Sequence, residues 1–287
     1  MRTPRVRYEP SGSRRKLAPP PGGALIVHLV VNVEHWVYTE PMPRVVLPAP
    51  QGGSHVPDVP NWSWKEYGWR CGLPRILALL EALELRATAS INGDVCNAYA
   101  DMARAMDVAG WDFMGHGFVQ TPMSRVADER AAIRDTKATI ERFTGKPMRG
   151  WMGPGLTETF DTADLLKELG VEWLCDWVLD DLPVDVQTAH GPLIGVPYTV
   201  ELNDIVIFAL EHHRSGEMYE RLLHSLPVYL EESRREPRVL PIAVHPYLTG
   251  VPHRFGFFRQ MLEHLRRLRG VTFMTGSEIA DWYAAQR

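Results

Sequence analysis

Cysteine is scarce. The 287 residues include three, Cys71, Cys96 and Cys175, odd in number, far apart and without CxxC spacing. They form neither a disulfide framework nor a zinc finger, and a reducing, cytoplasmic setting is expected. Long apolar runs are missing as well. The longest, Ala24 to Val33, is broken by His28 and gives way at Asn32, about half of the roughly 20 residues a membrane span needs. Basic residues ahead of it imitate a signal peptide. Asn32, Glu34, His35 and Trp36, however, stand where a small-residue cleavage site would follow. No membrane partner is expected.

The dinucleotide fingerprint, the phosphate loop, the GxSxG elbow and HExxH are all absent, which removes the common motif routes to those chemistries. An excess of positive charge is lacking too, since 31 basic residues face 35 acidic ones for a net charge of −4. Arg2, Arg5, Arg7, Arg14, Arg15 and Lys16 against Glu9 give residues 1–22 a charge of +5, leaving 25 basic and 34 acidic residues, −9, on the rest. A nucleic-acid binder presents a basic folded surface, so no nucleic-acid partner is expected. The chain is 45% hydrophobic and 23% charged, ordinary for a globular protein with a sizeable core. Residues 1–22, running into Pro19, Pro20, Pro21 and Gly22, read as a flexible arm, and residues 23–287 as one domain.

Within that domain Ala24 to Val33 reads as a strand buried on both faces. Residues 34–68 follow as a long loop rich in proline and carrying Trp36, Trp62, Trp64 and Tyr67; so many large rings argue for order. Helices and strands then alternate. Helical spacing marks residues 73–83, 94–110, 125–143, 159–169, 215–233, 255–268 and 277–285. Strand signals fall at 86–92, 111–115, 148–152, 171–177, 193–199, 239–245 and 271–274. Such alternation means parallel βα units. Their number points to an α/β class fold, a single (β/α) barrel of about seven parallel strands, with an open doubly wound sheet as the alternative.

In a parallel barrel the reactive groups stand at strand C-termini. Here those positions hold Glu34 and His35, then His116 between Gly115 and Gly117, then Trp151. Asp176 and Trp177 follow, with Asp180 and Asp181 beyond them, and His245 comes last. Titratable groups from distant stretches thus gather at one end of the sheet, the pattern of an active site. Paired glycines let backbone approach a ligand closely. Adjacent Asp180 and Asp181 diverge in extended chain, so one of them at most faces the site. His28, inside the first strand, reads as a hydrogen-bonded core histidine.

The order Asn-Val-Glu-His, Gly-His-Gly, Gly-Trp, Asp-Asp-Leu-Pro and a late His-Pro resembles the polysaccharide deacetylase superfamily. Its cofactor-independent allantoinase and cyclic-imide-hydrolase branch is the nearest in look. Val196-Pro197-Tyr198-Thr199 with Asn203-Asp204, and Gly250-x-Pro252-x-Arg254, extend the likeness across about residues 24–285. The resemblance implies a distorted (β/α) barrel, a hydrolase of carbon–nitrogen bonds and a homo-oligomer. Metal-dependent members carry a His-x-x-x-His pair; here His116 is followed by Gln120, and Glu34-His35 replaces paired aspartates. Zinc prefers imidazole, thiolate and carboxylate, so a site without a strongly bound metal is expected. A divalent ion such as zinc, if held, would take Glu34, His35, His116 and Gln120.

The expected reaction opens an amide bond in a small cyclic imide or ureide. Glu34 is the candidate base, with a raised pKa if the aromatic loop excludes water. His116 and His245 are candidates for oxyanion stabilisation and proton donation, with Asp181 as a further catalytic carboxylate. Trp36, Trp151 and Trp177, with Gln120 and Asp180, are the candidate substrate contacts. A metal-dependent deacetylase of an acetylated amino sugar or small acetamide, and a non-catalytic binding protein, stand as alternatives.

Overall fold

The computed structural model describes residues 3–49, 53 and 55–287. Its strands are β1 (Leu25–Val33), β2 (Thr88–Ile91), β3 (Asp112–Gly115), β4 (Gly150–Trp151), β5 (Trp173–Leu174), β6 (Val184–Val186), β7 (Leu193–Gly195), β8 (Arg238–Val244) and β9 (Val271–Phe273). They form one curled sheet in the order β6-β7-β5-β4-β3-β2-β1-β8, with β9 also on β1. Every pairing is parallel except β6 with β7. The expected α/β barrel of mostly parallel strands is therefore what the chain forms.

β1 is the axis of the sheet. It is buried along all nine residues and pairs with β8, β2 and β9. Side chains alternate along a strand, and the two faces of β1 divide accordingly. Leu25, Val27, Leu29, Val31 and Val33 pack with the helices, while Ile26 and Val30 join Met114, Trp173, Val196 and Ala243 in the barrel interior. His28 shares the inner parity and is fully buried, with Nδ1 3.1 Å from the Pro197 carbonyl and Nε2 3.0 Å from Thr88 Oγ1. Burial depresses its pKa to about 4, so it serves as a neutral core histidine.

β8 carries Pro241 in mid-strand, where a proline normally breaks a ladder. The amides of Val239 and Ala243 donate outward, to the carbonyls of Asp181 and Leu202. Residue 241 lies between them and shares their direction, so the ladder to β1 loses no donor. These outward bonds, with the Asn203–Ala243 bridge, help close the gap between β7 and β8.

The segment expected as a loop to residue 68 ends in helix α1 (Val59–Tyr67). Asp58 caps its start, accepting from the amide of Asn61, and Pro60 sits in the first turn, where its missing N–H costs nothing. The Asn61 side chain makes three hydrogen bonds to the loop, accepting from the amides of Val46 and Leu47 and donating to the carbonyl of Leu47. A π-turn at Gly68–Gly72 leads into α2 (Leu73–Ala82). A Cβ on Gly72 would stand 2.0 Å from the Pro246 carbonyl oxygen, so only glycine lets this turn press against the chain after β8.

Residues 3–22, read from sequence as a flexible arm, lie anchored on the body. Arg5 pairs with Asp164 at 2.7 Å and Arg14 with Asp180 at 2.6 Å, and the amide of Gln187 donates to the Arg5 carbonyl. The attraction of these residues, with a charge of +4, for a −9 body explains the seat.

Candidate active site

The strand alternation decides which residues reach the barrel mouth. Continuing the inner face of β1 past Ile26 and Val30 gives Asn32 and Glu34; continuing Met114 in β3 gives His116. Met152 is the inner residue after β4, and His245 follows Ala243 in β8. Together with Gln120 and Trp36 they line a cleft of about 760 Å³. The sequence-predicted Glu34, His116, His245, Gln120 and Trp36 are thus brought together.

Other expected residues are elsewhere. Trp151 has outer parity and is fully buried among core side chains beneath the helices, while its neighbour Met152 faces the cleft. Trp177 donates its indole N–H to Glu158 at 2.9 Å, and neither it nor Trp62 or Trp64 lines the cleft. Asp180 is bound by Arg14, and Asp181 accepts from the Tyr229 hydroxyl at 3.1 Å. The Asp181 carbonyl pairs with Val239 at the start of β8. His245 stands six residues further along, about 20 Å at 3.3 Å per residue. Asp180 and Asp181 wall a separate cavity beneath the arm and are not part of the mouth.

Glu34 is held from every side. Oε2 accepts from Trp36 Nε1 at 2.7 Å and faces the Tyr247 hydroxyl at 3.4 Å; Oε1 accepts from Gln120 Nε2 at 2.9 Å and lies 3.6 Å from His245 Nε2. Burial pushes this carboxyl up, but His245, His116 and the Trp36 indole outweigh it and hold the pKa at about 2. This reverses the expected rise. The aromatic residues do bury Glu34, yet they arrive with hydrogen-bond donors, and a cation stands beside it. Trp64 and Tyr247 pack edge to face at 4.8 Å behind Trp36, so the tryptophans support the carboxylate more than they line a pocket.

His245 is the cation. Its Nδ1 lies 2.6 Å from Asp204 Oδ1, and its amide donates to Asp204 Oδ2 at 2.7 Å. Asp204 is fully buried and also accepts from Thr249 Oγ1 at 2.6 Å. Burial drives the imidazole toward neutrality, but Asp204 and then Glu34 prevail and raise its pKa to about 9. With Nδ1–H donated to Asp204, Nε2–H faces Glu34 and the cleft. In the sequence Asp204 stands only as part of the Asn203-Asp204 pair; its partnership with an imidazole 41 residues downstream is one that no spacing rule reveals.

His116 is wired in the opposite sense. Its Nδ1 is 2.7 Å from the Met152 carbonyl, which can only accept, so Nδ1 carries the proton and Nε2 presents a lone pair. Burial lowers its pKa, keeping it neutral. Gln120 Nε2 stands 3.3 Å from that lone pair and also donates to Glu34. The amide orientation is fixed by its neighbours: the amide N–H of His35 donates to Asn92 Oδ1 at 2.7 Å, and Asn92 Nδ2 donates to Gln120 Oε1 at 3.2 Å. His116 therefore accepts in this arrangement, where the sequence reading had it donating.

That wiring tests the metal ligand set. The Gln120 NH₂ group bridges the lone pairs of Glu34 and His116, taking the position a shared cation would need. His35 turns its Nδ1 to Asp94 Oδ2 at 3.0 Å and its ring edge to Tyr99, because Asn92 binds its backbone and fixes the turn. Among the described residues no group of three His, Cys, Asp or Glu side chains converges as a metal site. Glu34, His35, His116 and Gln120, as arranged, do not fit a divalent ion.

The polysaccharide deacetylase family matches residues 66–174. A putative polysaccharide deacetylase of Schizosaccharomyces pombe is 27% identical over 241 residues, covering 77% of this chain and 75% of that protein. Among solved structures, PuuE allantoinase superposes with a TM-score of 0.86 at 23% identity, covering 100% of this chain and 99% of the other. A probable polysaccharide deacetylase of Pseudomonas aeruginosa PAO1 gives 0.85 at 24% identity, with 96% of each chain covered. Among the described residues no helix is long and apolar enough to cross a membrane.

Proposed function

We propose that this chain, which carries the polysaccharide deacetylase domain and shares its barrel with deacetylases and PuuE allantoinase, is a hydrolase of non-peptide amide bonds that opens a small cyclic imide or ureide. The family match and the names of its relatives support amide hydrolysis in general. One observation favours the ring substrate and a reaction without a strongly bound metal: the Gln120 amide, which spans Glu34 and His116 where a metal-dependent site would gather its donors. A ring amide, being strained or activated, asks less of a catalyst than an unactivated acetamide does.

In this proposal the ring carbonyl docks with its oxygen toward Nε2–H of His245, which Asp204 keeps protonated. A water beside Glu34 attacks the carbonyl carbon as its proton passes to the carboxylate. The C–N bond then breaks, the ring nitrogen takes up that proton, and the product is the opened amide acid. Docking draws His245 away from Glu34, so the carboxylate loses part of the interaction that depresses its pKa and becomes a better base when it is needed. An oriented cationic donor at the developing oxyanion contributes about 10²–10³ in rate, and a placed base about 10²–10⁴. His116 acts through Gln120, fixing the amide that aligns Glu34. The proposal extends to a homo-oligomer in a reducing cytoplasm, in keeping with three unpaired cysteines.

A second reading, a metal-dependent deacetylase of an acetylated amino sugar or small acetamide, draws on the family name itself. Ring opening of succinimide, hydantoin and allantoin, followed with and without chelator, distinguishes the two. Chelator-insensitive opening is expected. Acetate release from an N-acetylated sugar, restored by zinc and without any ring opening, would overturn the proposal in favour of the deacetylase.

A further inference from the structure

Two guanidinium groups in the cleft wall have no counterpart. Arg44, half-buried on the loop after Trp36, and Arg125, exposed at the end of a short 3₁₀ turn, both line the cleft that holds Glu34 and His245. Among the described residues neither side chain makes an ion pair or a hydrogen bond. Glu40 lies on the same wall and pairs with neither. Most arginines of the body behave differently, Arg149 being held by both Glu172 and Asp281. A partly desolvated cation without a partner is costly, and it is relieved when a ligand supplies the anion.

The floor of the cleft has the opposite balance. Asp204, His245 and Glu34 carry two negative charges to one positive, and His116 is neutral. An anionic group would be repelled at the floor and attracted at the wall. We infer that the substrate is an anionic cyclic amide, its neutral reacting amide seated at Glu34 and His245 and its carboxylate bound by Arg44, with Arg125 as a second, more exposed contact. Arginine suits this task because its planar fork matches a carboxylate with two parallel hydrogen bonds. The inference rests on the ring-opening reading and names its substrate class.

The test uses two probes of one ring, hydantoin and hydantoin-5-acetic acid, with the full chain and the variants Arg44→Gln and Arg125→Gln. Wild type should open the carboxylated ring with kcat/KM about tenfold or more above the neutral one, a preference that 0.5 M salt reduces. Arg44→Gln should remove most of that preference through KM, leaving hydantoin within about twofold of wild type, and Arg125→Gln should do so more weakly. Equal kcat/KM for the two rings, or an equal loss on both in Arg44→Gln, overturns the inference while leaving the hydrolase reading standing. If neither ring opens, the ring-opening reading loses this ring as a substrate, and calorimetric binding of the same probes decides the arginine assignment alone. Charge-selective, salt-sensitive binding lost in Arg44→Gln supports it; binding indifferent to the carboxylate, or none, sinks it.

Discussion

Replacing Asp204 by Asn tests the cationic state of His245 with little change of volume. The carboxylate is fully buried and touches the imidazole at 2.6 Å, whereas Glu34, the other anion beside His245, is 3.6 Å away. Burial opposes the charged ring throughout. Without Asp204 the pKa should fall from about 9 to the ordinary 6.5 or lower. That drop of about 2.5 units corresponds to about 3 kcal/mol at 1.36 kcal/mol per unit. At pH 8 the protonated fraction then falls from about 0.9 to about 0.03, so kcat/KM for ring opening should drop about thirtyfold and recover near pH 5.5. Stability follows the same linkage. A pKa raised on folding contributes stability that is full below about 6.5 and lost as pH rises through about 9. Wild type should therefore lose thermal stability across that window and Asp204→Asn should not. The assays are kcat/KM from pH 5 to 10 and the denaturation midpoint over the same range. A basic limb that stays near pH 9 in the variant would refute the partnership.

Glu34→Gln should lower kcat at least about a hundredfold with the fold intact; near-normal turnover removes Glu34 from the base role. Gln120→Glu sets a second carboxylate within hydrogen-bond reach of Glu34 Oε1. It should bring an acid limb in kcat/KM up into the range above pH 5, and an unchanged pH profile would show that Gln120 and Glu34 do not meet. Trp151→Ala, which empties a fully buried site in the outer core, should cost about 3–5 kcal/mol in chemical denaturation. The KM of the folded fraction should not change, and a large rise in KM would return Trp151 to the substrate contacts.

Much of the barrel was legible because parallel strands leave a local record. The run from Leu25 to Val33 announces a strand buried on both faces, and Gly110, Gly145 and Gly170 mark turns with positive φ after their helices. Short strands were less so. β5, inside the sheet between β7 and β4, spans two residues where seven were expected, and β6, at the edge, runs antiparallel, because the length and direction of pairing depend on neighbours that the local pattern does not name. Alternation of side chains was available in the sequence and, applied from Ile26 and Met114 onward, separates Met152 from Trp151. Proximity in sequence to a strand end is a weaker guide than parity.

The amino-acid sequence by itself determined the alternating βα plan, the buried β1 strand, the core placement of His28 and the convergence of Glu34, His116 and His245 on one end of the sheet. Each follows from strand and helix periodicity acting within a few residues. Only the tertiary structure decided which of those groups carries a proton. Asp204 reaches His245 across 41 residues and makes it a cation, the Met152 carbonyl fixes the tautomer of His116, and that cation holds Glu34 as a carboxylate. Charge states are set by distances of a few ångströms between residues remote in the chain, and such distances exist only after the barrel has folded.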